Sequence, residues 1–289
     1  MKPVDTHDSH FILHAKSKTH HFEGEGALSL KTFANGRAFY EAGGGCYAVD
    51  ETRYLLLNPG RYAITIEDER EVESFCLFFK DGFAGEVHDA VASTAEQGLD
   101  DPFRPPSKEI EWVQKTYPND TCLMMLLRRL KTERNDEVRR DELMHDIMRR
   151  MLVIHMETKK EIERLPAMRP AVREEIYRRV ATAHDFLEAC YAQPLTLDTI
   201  AQTACLSANH LLKNYKAVHG KSPSQQLSEI RMREAKRLLA DEDIAVTDIA
   251  FAVGFETASA FSKKFRRHTG CAPSVFRKKV RLDKPPRSR

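Results

Sequence analysis

The sequence predicts an α+β chain: an N-terminal β-barrel with a helical appendage, then an all-α part of two helical hairpins joined by a helix. Three observations predict it. Short β-patterned runs separated by turn residues occupy the first hundred residues. Helical periodicity takes over near residue 107. Two segments near the C-terminus then repeat one another at an offset of 49 to 50 residues. At roughly 100–200 residues per domain, 289 residues suit two domains.

The β region is read as residues 1–106. ALSLKTF (27–33) and RAFYEA (37–42) flank Asn35-Gly36, a short-hairpin signal. CYAVD and RYLLLN (53–58) follow the run Gly43–Gly45. Beyond Pro59-Gly60, RYAITIE (61–67) alternates Tyr62, Ile64 and Ile66 with polar or small neighbours. VESFCLFFK (72–80) closes the series. Five or six short strands at this spacing point to a sandwich or barrel. Residues 84–106 end in Pro102, Pro105 and Pro106 and read as loop with some helix.

Residues 107–165 read as a helical dimerisation or packing region. SKEIEWVQKTY is one candidate helix. Asp120 or Thr121 caps the next, with Leu123, Leu127 and Leu130 on one face. Asp136 caps a longer one, in which Leu143, Ile147, Met151 and Ile154 recur at steps of three and four. Pro166 and Pro170 then mark a linker.

The repeat lies within residues 171–283. LTLDTIAQTACLSANHLLKNYKAVHGKSP (195–223) aligns with IAVTDIAFAVGFETASAFSKKFRRHTGCAP (244–273). Ile200-Ala201 matches Ile249-Ala250, Leu211 matches Phe261, Tyr215 matches Phe265, and Gly220 matches Gly270. In each unit a small apolar pair lets a second helix approach. A tight turn centred on Cys205 or Gly254 follows; glycine suits a positive φ there and cysteine does not. Ser207 and Thr257 stand where an N-cap begins the second helix, and Gly220 and Gly270 where it stops. Each unit (197–219 and 247–268) is a helix-turn-helix, whose second helix enters a DNA major groove. A connecting helix of about 16 residues, or ~24 Å, suits two reading helices about one DNA turn apart on one face.

Residues 171–280 resemble the DNA-binding domain of the AraC family of bacterial transcription regulators. The resemblance rests on the first repeat, on RMREAKRLL, and on VTDIAFAVGFETASAFSKKFRRHTGCAPSVFRK. It extends more weakly to Arg53-Tyr54-Leu55-Leu56-Leu57-Asn58-Pro59-Gly60, similar to the family's cupin-like sensor domains. It implies a sequence-specific regulator, an activator, cytoplasmic and nucleoid-associated when bound. It further implies a homodimer that contacts RNA polymerase and responds to a small-molecule effector. Base-reading positions fall on Asn209, Leu212 and Lys213 in the first unit and Ala258, Ser259, Ser262 and Lys263 in the second. Asn suits adenine and Lys suits guanine. Phosphate contacts are expected of Lys216, Lys264, Arg266, Arg267 and the cluster Arg277-Lys278-Lys279. Tyr40, Tyr47, Tyr54, Tyr62, Phe75, Phe78 and Trp112 are candidate effector-lining or core residues.

Other classes are excluded in turn. No run approaches the roughly 18 apolar residues of a membrane span, and the N-terminus lacks a secretion-signal pattern. Six scattered cysteines without C-x-x-C suggest neither a zinc ribbon nor a disulfide framework. Of twelve histidines, His7, His10, His14, His20 and His21 lie in the first 21 residues. His20-His21-Phe22-Glu23 does not make the H-x-H pattern of metal-binding cupins, since consecutive strand residues point to opposite faces. A cupin-type metalloenzyme fused to DNA-binding helices is the alternative reading; no catalytic residue, metal or cofactor is expected. The net charge of +2 argues against nucleic acid only as a sum. Residues 171–289 hold 21 Lys and Arg against 13 Asp and Glu, so the basic and acidic halves are separate.

Overall fold

A computed structural model describes residues 9–92, 110–165, 169–240 and 244–282. They form two units, one ending at Asp185 and one beginning at Phe186.

The first unit is a seven-stranded antiparallel, barrel-like sheet with helices on one face. Its strands are β1 (Phe11–Gly26), β2 (Ser29–Ala34), β3 (Ala38–Ala42), β4 (Gly45–Val49), β5 (Arg53–Leu57), β6 (Gly60–Phe78) and β7 (Lys115–Pro118). RYAITIE and VESFCLFFK, read as separate strands, are the two ends of β6. This strand pairs with β1 over both ends, Gly60–Glu67 and Val72–Phe78, with a register shift between them.

The Asn35-Gly36 signal does not make a hairpin. β2 pairs with the C-terminal end of β6, from Ser29 opposite Phe78 to Ala34 opposite Glu73. β3 continues in the same direction along β6, from Ala38 opposite Ile66 to Ala42 opposite Tyr62. Asn35 has a φ of +64°. A Cβ on Gly36 would lie 2.5 Å from Val72 and 2.7 Å from Asp68. The dipeptide thus lets the chain step closely past β6 and redirect one run of residues from β2 to β3. The two-residue hairpin is instead Gly43-Gly44, both at positive φ, which joins β3 to β4.

Alternation divides the sheet residues between two cores. Tyr54, Leu56, Phe75 and Leu77 face the helices. Leu55, Leu57, Cys76 and Phe78 face the barrel interior with Tyr40, Tyr47, Ile64, Ile66 and Val72.

The helices of this unit are α1 (Phe83–Ala92), α2 (Thr121–Glu133), α3 (Glu137–Glu163) and most of α4 (Pro170–Cys190). Asp120 caps α2, accepting from Leu123 N at 2.8 Å, and it ties α2 to α3 through Arg150 at 2.7 Å. Asp136 caps α3. Leu123, Leu127 and Leu130 are buried, as are Leu143, Ile147 and Met151, while Ile154 is half-buried. Each fully buried side chain of this size stabilises by about 1.5–3 kcal/mol.

The expected helix SKEIEWVQKTY is not helical where it is described. Residues 110–114 are irregular and Lys115–Pro118 is β7, paired with β5. Tertiary pairing overrides the helix propensity of its Glu, Lys and Gln. β5 presents an open edge, and Trp112, Val113 and Tyr117 are buried. The free edge of β7 is met by Asp185 of α4, which accepts from Thr116 N at 3.2 Å and from its hydroxyl.

The second unit holds the end of α4, then α5 (Leu197–Thr203), α6 (Ala208–His219), α7 (Pro223–Leu239), α8 (Val246–Ala252), α9 (Ala258–Thr269) and α10 (Pro273–Leu282). Of the proline linker, residues 166–168 lie outside the described residues, and Pro170 opens α4. No described helix is long and apolar enough to cross a membrane.

Candidate nucleic-acid interface

α5–α6 and α8–α9 are two helix-turn-helix units with matching local chemistry. Thr196 and Thr199 form a capping box at the start of α5. Ser207 caps α6 and Thr257 caps α9, each through a hydroxyl that accepts from an amide three residues on. Gly220 and Gly270 end these helices at φ +71° and +81°.

The turns occupy the same conformation with different residues. Gly254 has φ +83° and Cys205 φ +51°. Glycine is required at 254 for space as well: a Cβ there would lie 2.7 Å from the Ala192 carbonyl oxygen. Arg231 of α7 holds that carbonyl segment, donating to Tyr191 O at 2.8 Å and Gln193 O at 2.9 Å. Cysteine at 205 is exposed and carries the backbone strain of an L-residue at positive φ.

Each second helix is fixed by its inward face. Leu211 and Tyr215 of α6 are fully buried, as are Phe261 and Phe265 of α9. Phe261 meets Phe255 and Phe265 with ring centroids 5.5 Å apart, and Phe265 meets Phe276 at 5.4 Å. α7, between the units, has 17 residues. Its buried Glu234 is satisfied by Arg233 at 3.4 Å and Arg237 at 3.1 Å, and Arg233 also grips the buried Glu188.

The outward faces carry most of the expected reading residues. On α6, Asn209, Leu212, Lys213 and Lys216 are exposed. On α9, Ser259, Lys263, Arg266 and Arg267 are exposed, while Ser262 and Lys264 are half-buried. Ala258 packs against the phenylalanine core and presents little to a groove. Sequence reading passed over His210 and Ala260, equivalent exposed positions one residue before Leu211 and Phe261. Counting 100° steps back from the buried residue finds both. Arg277 is committed elsewhere: it donates to Ile244 O at 2.7 Å, pinning the segment before α8, whereas Lys278 and Lys279 remain exposed.

In the first unit the candidate effector residues separate. Tyr62 lines an open depression of about 720 Å³ with Glu23, Glu41, Cys46 and Arg61. Tyr54 and Trp112 border a space of about 10 Å³ beside Tyr117 and His155, room for about one water. Tyr54 stacks on Tyr117 at 5.4 Å, and Trp112 meets His155 edge-on at 5.0 Å. Tyr40 and Tyr47 are buried in the barrel interior. Of the histidines, His10 accepts from Lys80 N, and burial lowers its pKa to about 4. His14 bonds Glu73 and Arg134. His20 and His21 are exposed on β1, and His7 lies outside the described residues.

A residue not singled out in the sequence is Lys31 on β2. It is 1% exposed, and its Nζ lies 3.4 Å from the Phe78 ring centroid and 5.0 Å from that of Tyr62. No carboxylate of the described residues pairs with it, and burial lowers its pKa to about 8. The pattern S-L-K-T-F could have shown it: Lys31 shares a face with Phe33, inside the barrel.

A family described as "Helix-turn-helix domain" matches residues 200–279. The chain is similar to the lactose operon transcription activator of Staphylococcus xylosus, 32% identical over 106 residues, 37% of each protein. It is 30% identical over 93 residues to the melibiose operon regulatory protein of Escherichia coli K12, covering 32% of this chain and 31% of that one. A solved transcriptional regulator of Chromobacterium violaceum, described as containing an AraC-type DNA-binding domain, is 27% identical. It covers 37% of this chain and 96% of its own, with a TM-score of 0.35. The chain spans about a third of the length of the curated relatives it matches. By these matches residues 200–279 are a helix-turn-helix domain of the AraC type, shared with DNA-binding transcription regulators.

Proposed function

We propose that the protein is a sequence-specific transcription regulator, an activator, that places α6 and α9 in two adjacent major grooves of double-stranded DNA. The observation that carries this is the duplication. Two units share the caps of their second helices, the turn conformation and buried pairs, and both expose a lysine on the outward face, Lys213 and Lys263. α7 spans ~26 Å at 1.5 Å per residue, a length compatible with units about one helical turn of DNA apart. Residues 171–283 are the DNA-binding part of this reading, 1–106 the sensor and 107–165 the dimerisation and packing region. A homodimer that engages RNA polymerase in the cytoplasm and sits on the nucleoid completes it; no enzymatic step belongs to it. Selection of genomic fragments by the purified full chain tests it. Recovered sites should hold two half-motifs about 10 base pairs apart, and recovery of random sequence at moderate salt would refute the reading.

An effector response is the second part of the proposal, favoured by Lys31. A buried ammonium without a carboxylate is costly, and a ligand with an anionic group would offset that cost while its body meets Tyr40, Tyr62 and Phe78. Thermal melting of the full chain with a panel of organic carboxylates and phosphates tests it. A stabilising compound should lose its effect in Lys31→Met.

A further inference from the structure

We infer that the outer edge of β1 is a self-association surface, on which a second copy of the chain adds its own β1 antiparallel to the first. Among the described residues β1 pairs with β6 alone, so its other edge runs for up to 16 residues without a partner strand. Such an edge presents backbone donors and acceptors ready for another strand.

Side-chain charge selects the occupant. Along the edge the sequence reads KSKTHHFEGE (16–25), with two lysines at one end, two glutamates at the other and two histidines between. A β-bulge falls between Ser17 and Thr19, and Lys18 has no partner in the ladder. The bulge shifts which residues face outward. Lys16, Thr19, His21, Glu23 and Glu25 stand opposite Glu73, Glu67, Thr65, Ala63 and Arg61. All five partners are odd-numbered, whereas even-numbered Ile64, Ile66, Val72, Cys76 and Phe78 face the barrel interior. The bulge therefore gathers both signs of charge on one face.

An isologous antiparallel pairing centred on His21 then sets Thr19 of each copy against Glu23 of the other and, with the bulged Lys18 left out of the ladder, Lys16 against Glu25. Lysines and bulges also serve to blunt sheet edges. An edge bearing one sign of charge also repels its own copy. This edge is split into halves that attract when reversed. Lys16 and Lys18 have no ion pair among the described residues, and the partners of Glu23 and Glu25 are exposed contacts at 3.3 and 3.8 Å, worth little. All four charges are thus available to a second strand.

This surface specifies the homodimer proposed above and needs no DNA, so its test is separate from the DNA-binding reading. Sedimentation velocity of the full chain at low salt is the measurement, at tens of micromolar. The wild type should sediment as a dimer of twice 33.1 kDa. Lys16→Glu/Lys18→Glu makes the edge uniformly negative, and Glu23→Lys/Glu25→Lys makes it uniformly positive. Each should weaken association at least tenfold, and an equimolar mixture of the two should recover the dimer. A dimer indifferent to both double variants would overturn the surface while leaving the dimer in place, and a monomeric wild type would overturn it outright.

Discussion

Replacing Lys31 by methionine should stabilise the protein, and by more at neutral pH than at pH 10. Burial takes the ammonium from 10.5 down to about 8. Between those values the unfolded chain holds a proton that the folded chain has lost, so stability rises with pH across that window. Below pH 8 both states are protonated and the full penalty applies. At 1.36 kcal/mol per pH unit it is about 3 kcal/mol. The Phe78 face, 3.4 Å from Nζ, returns about 1–2 kcal/mol as a cation–π contact. Methionine keeps much of the stem's packing and removes the charge. Lys31→Met should therefore gain about 1–3 kcal/mol at pH 7 and little at pH 10. With about 2–4 °C per kcal/mol for a unit of this size, melting should rise by roughly 2–12 °C. Urea titrations of both proteins at pH 7 and pH 10 decide it. An equal gain at both pH values would show that the ammonium is not desolvated, and a loss at pH 7 would show that it is paired.

Three further outcomes are expected. Lys263→Ala should weaken binding to a selected site by about 1–3 kcal/mol and leave random duplex nearly unchanged, whereas Arg267→Ala should weaken both and reduce the salt slope by about 1; equal losses for Lys263→Ala in filter binding would remove it from base reading. Exchanging the two turn residues should have unequal consequences: Cys205→Gly should change stability by under about 1 kcal/mol, while Gly254→Cys should cost at least about 3 kcal/mol, because its Cβ meets the Ala192 carbonyl at 2.7 Å. Thermal melts of the two variants compare them directly. Burial raises the Asp185 carboxyl to about 7, so the folded state keeps a proton that the unfolded state releases above 3.8, and stability falls as pH climbs from 4 to 7. Asp185→Asn should flatten that slope in urea titrations, and an unchanged slope would contradict the assignment.

The second unit was more legible than the first because its signals are local. Ser207, Thr257, Gly220 and Gly270 each act within one turn of helix, and the repeat supplied every position twice. Even the strained Cys205 was visible, by its alignment with Gly254. In the first unit the strands were readable by alternation, but their partners were not. Asn35-Gly36 has the chemistry of a hairpin, yet what decides its conformation is Val72 and Asp68, more than thirty residues away. Residues 115–118 read as helix because the open edge of β5 that captures them is also remote in sequence. Lys31 was missed for the same reason: a lysine in a strand ordinarily faces water, and only barrel closure encloses it.

The two units treat buried charge differently, and the difference supports the division of labour proposed above. In the second unit Glu188 and Glu234 are buried but held by Arg233 and Arg237, so their cost is offset within the fold and their geometry is fixed. That rigidity suits a scaffold which must hold two reading helices in register. In the first unit Lys31 sits in an aromatic interior with no carboxylate of the described residues to neutralise it. An ammonium left uncompensated by the fold lowers stability below about pH 8, where it stays protonated in the folded state. The same ammonium is where a ligand of opposite charge gains most, because the enclosing barrel has already removed the water that would weaken the contact.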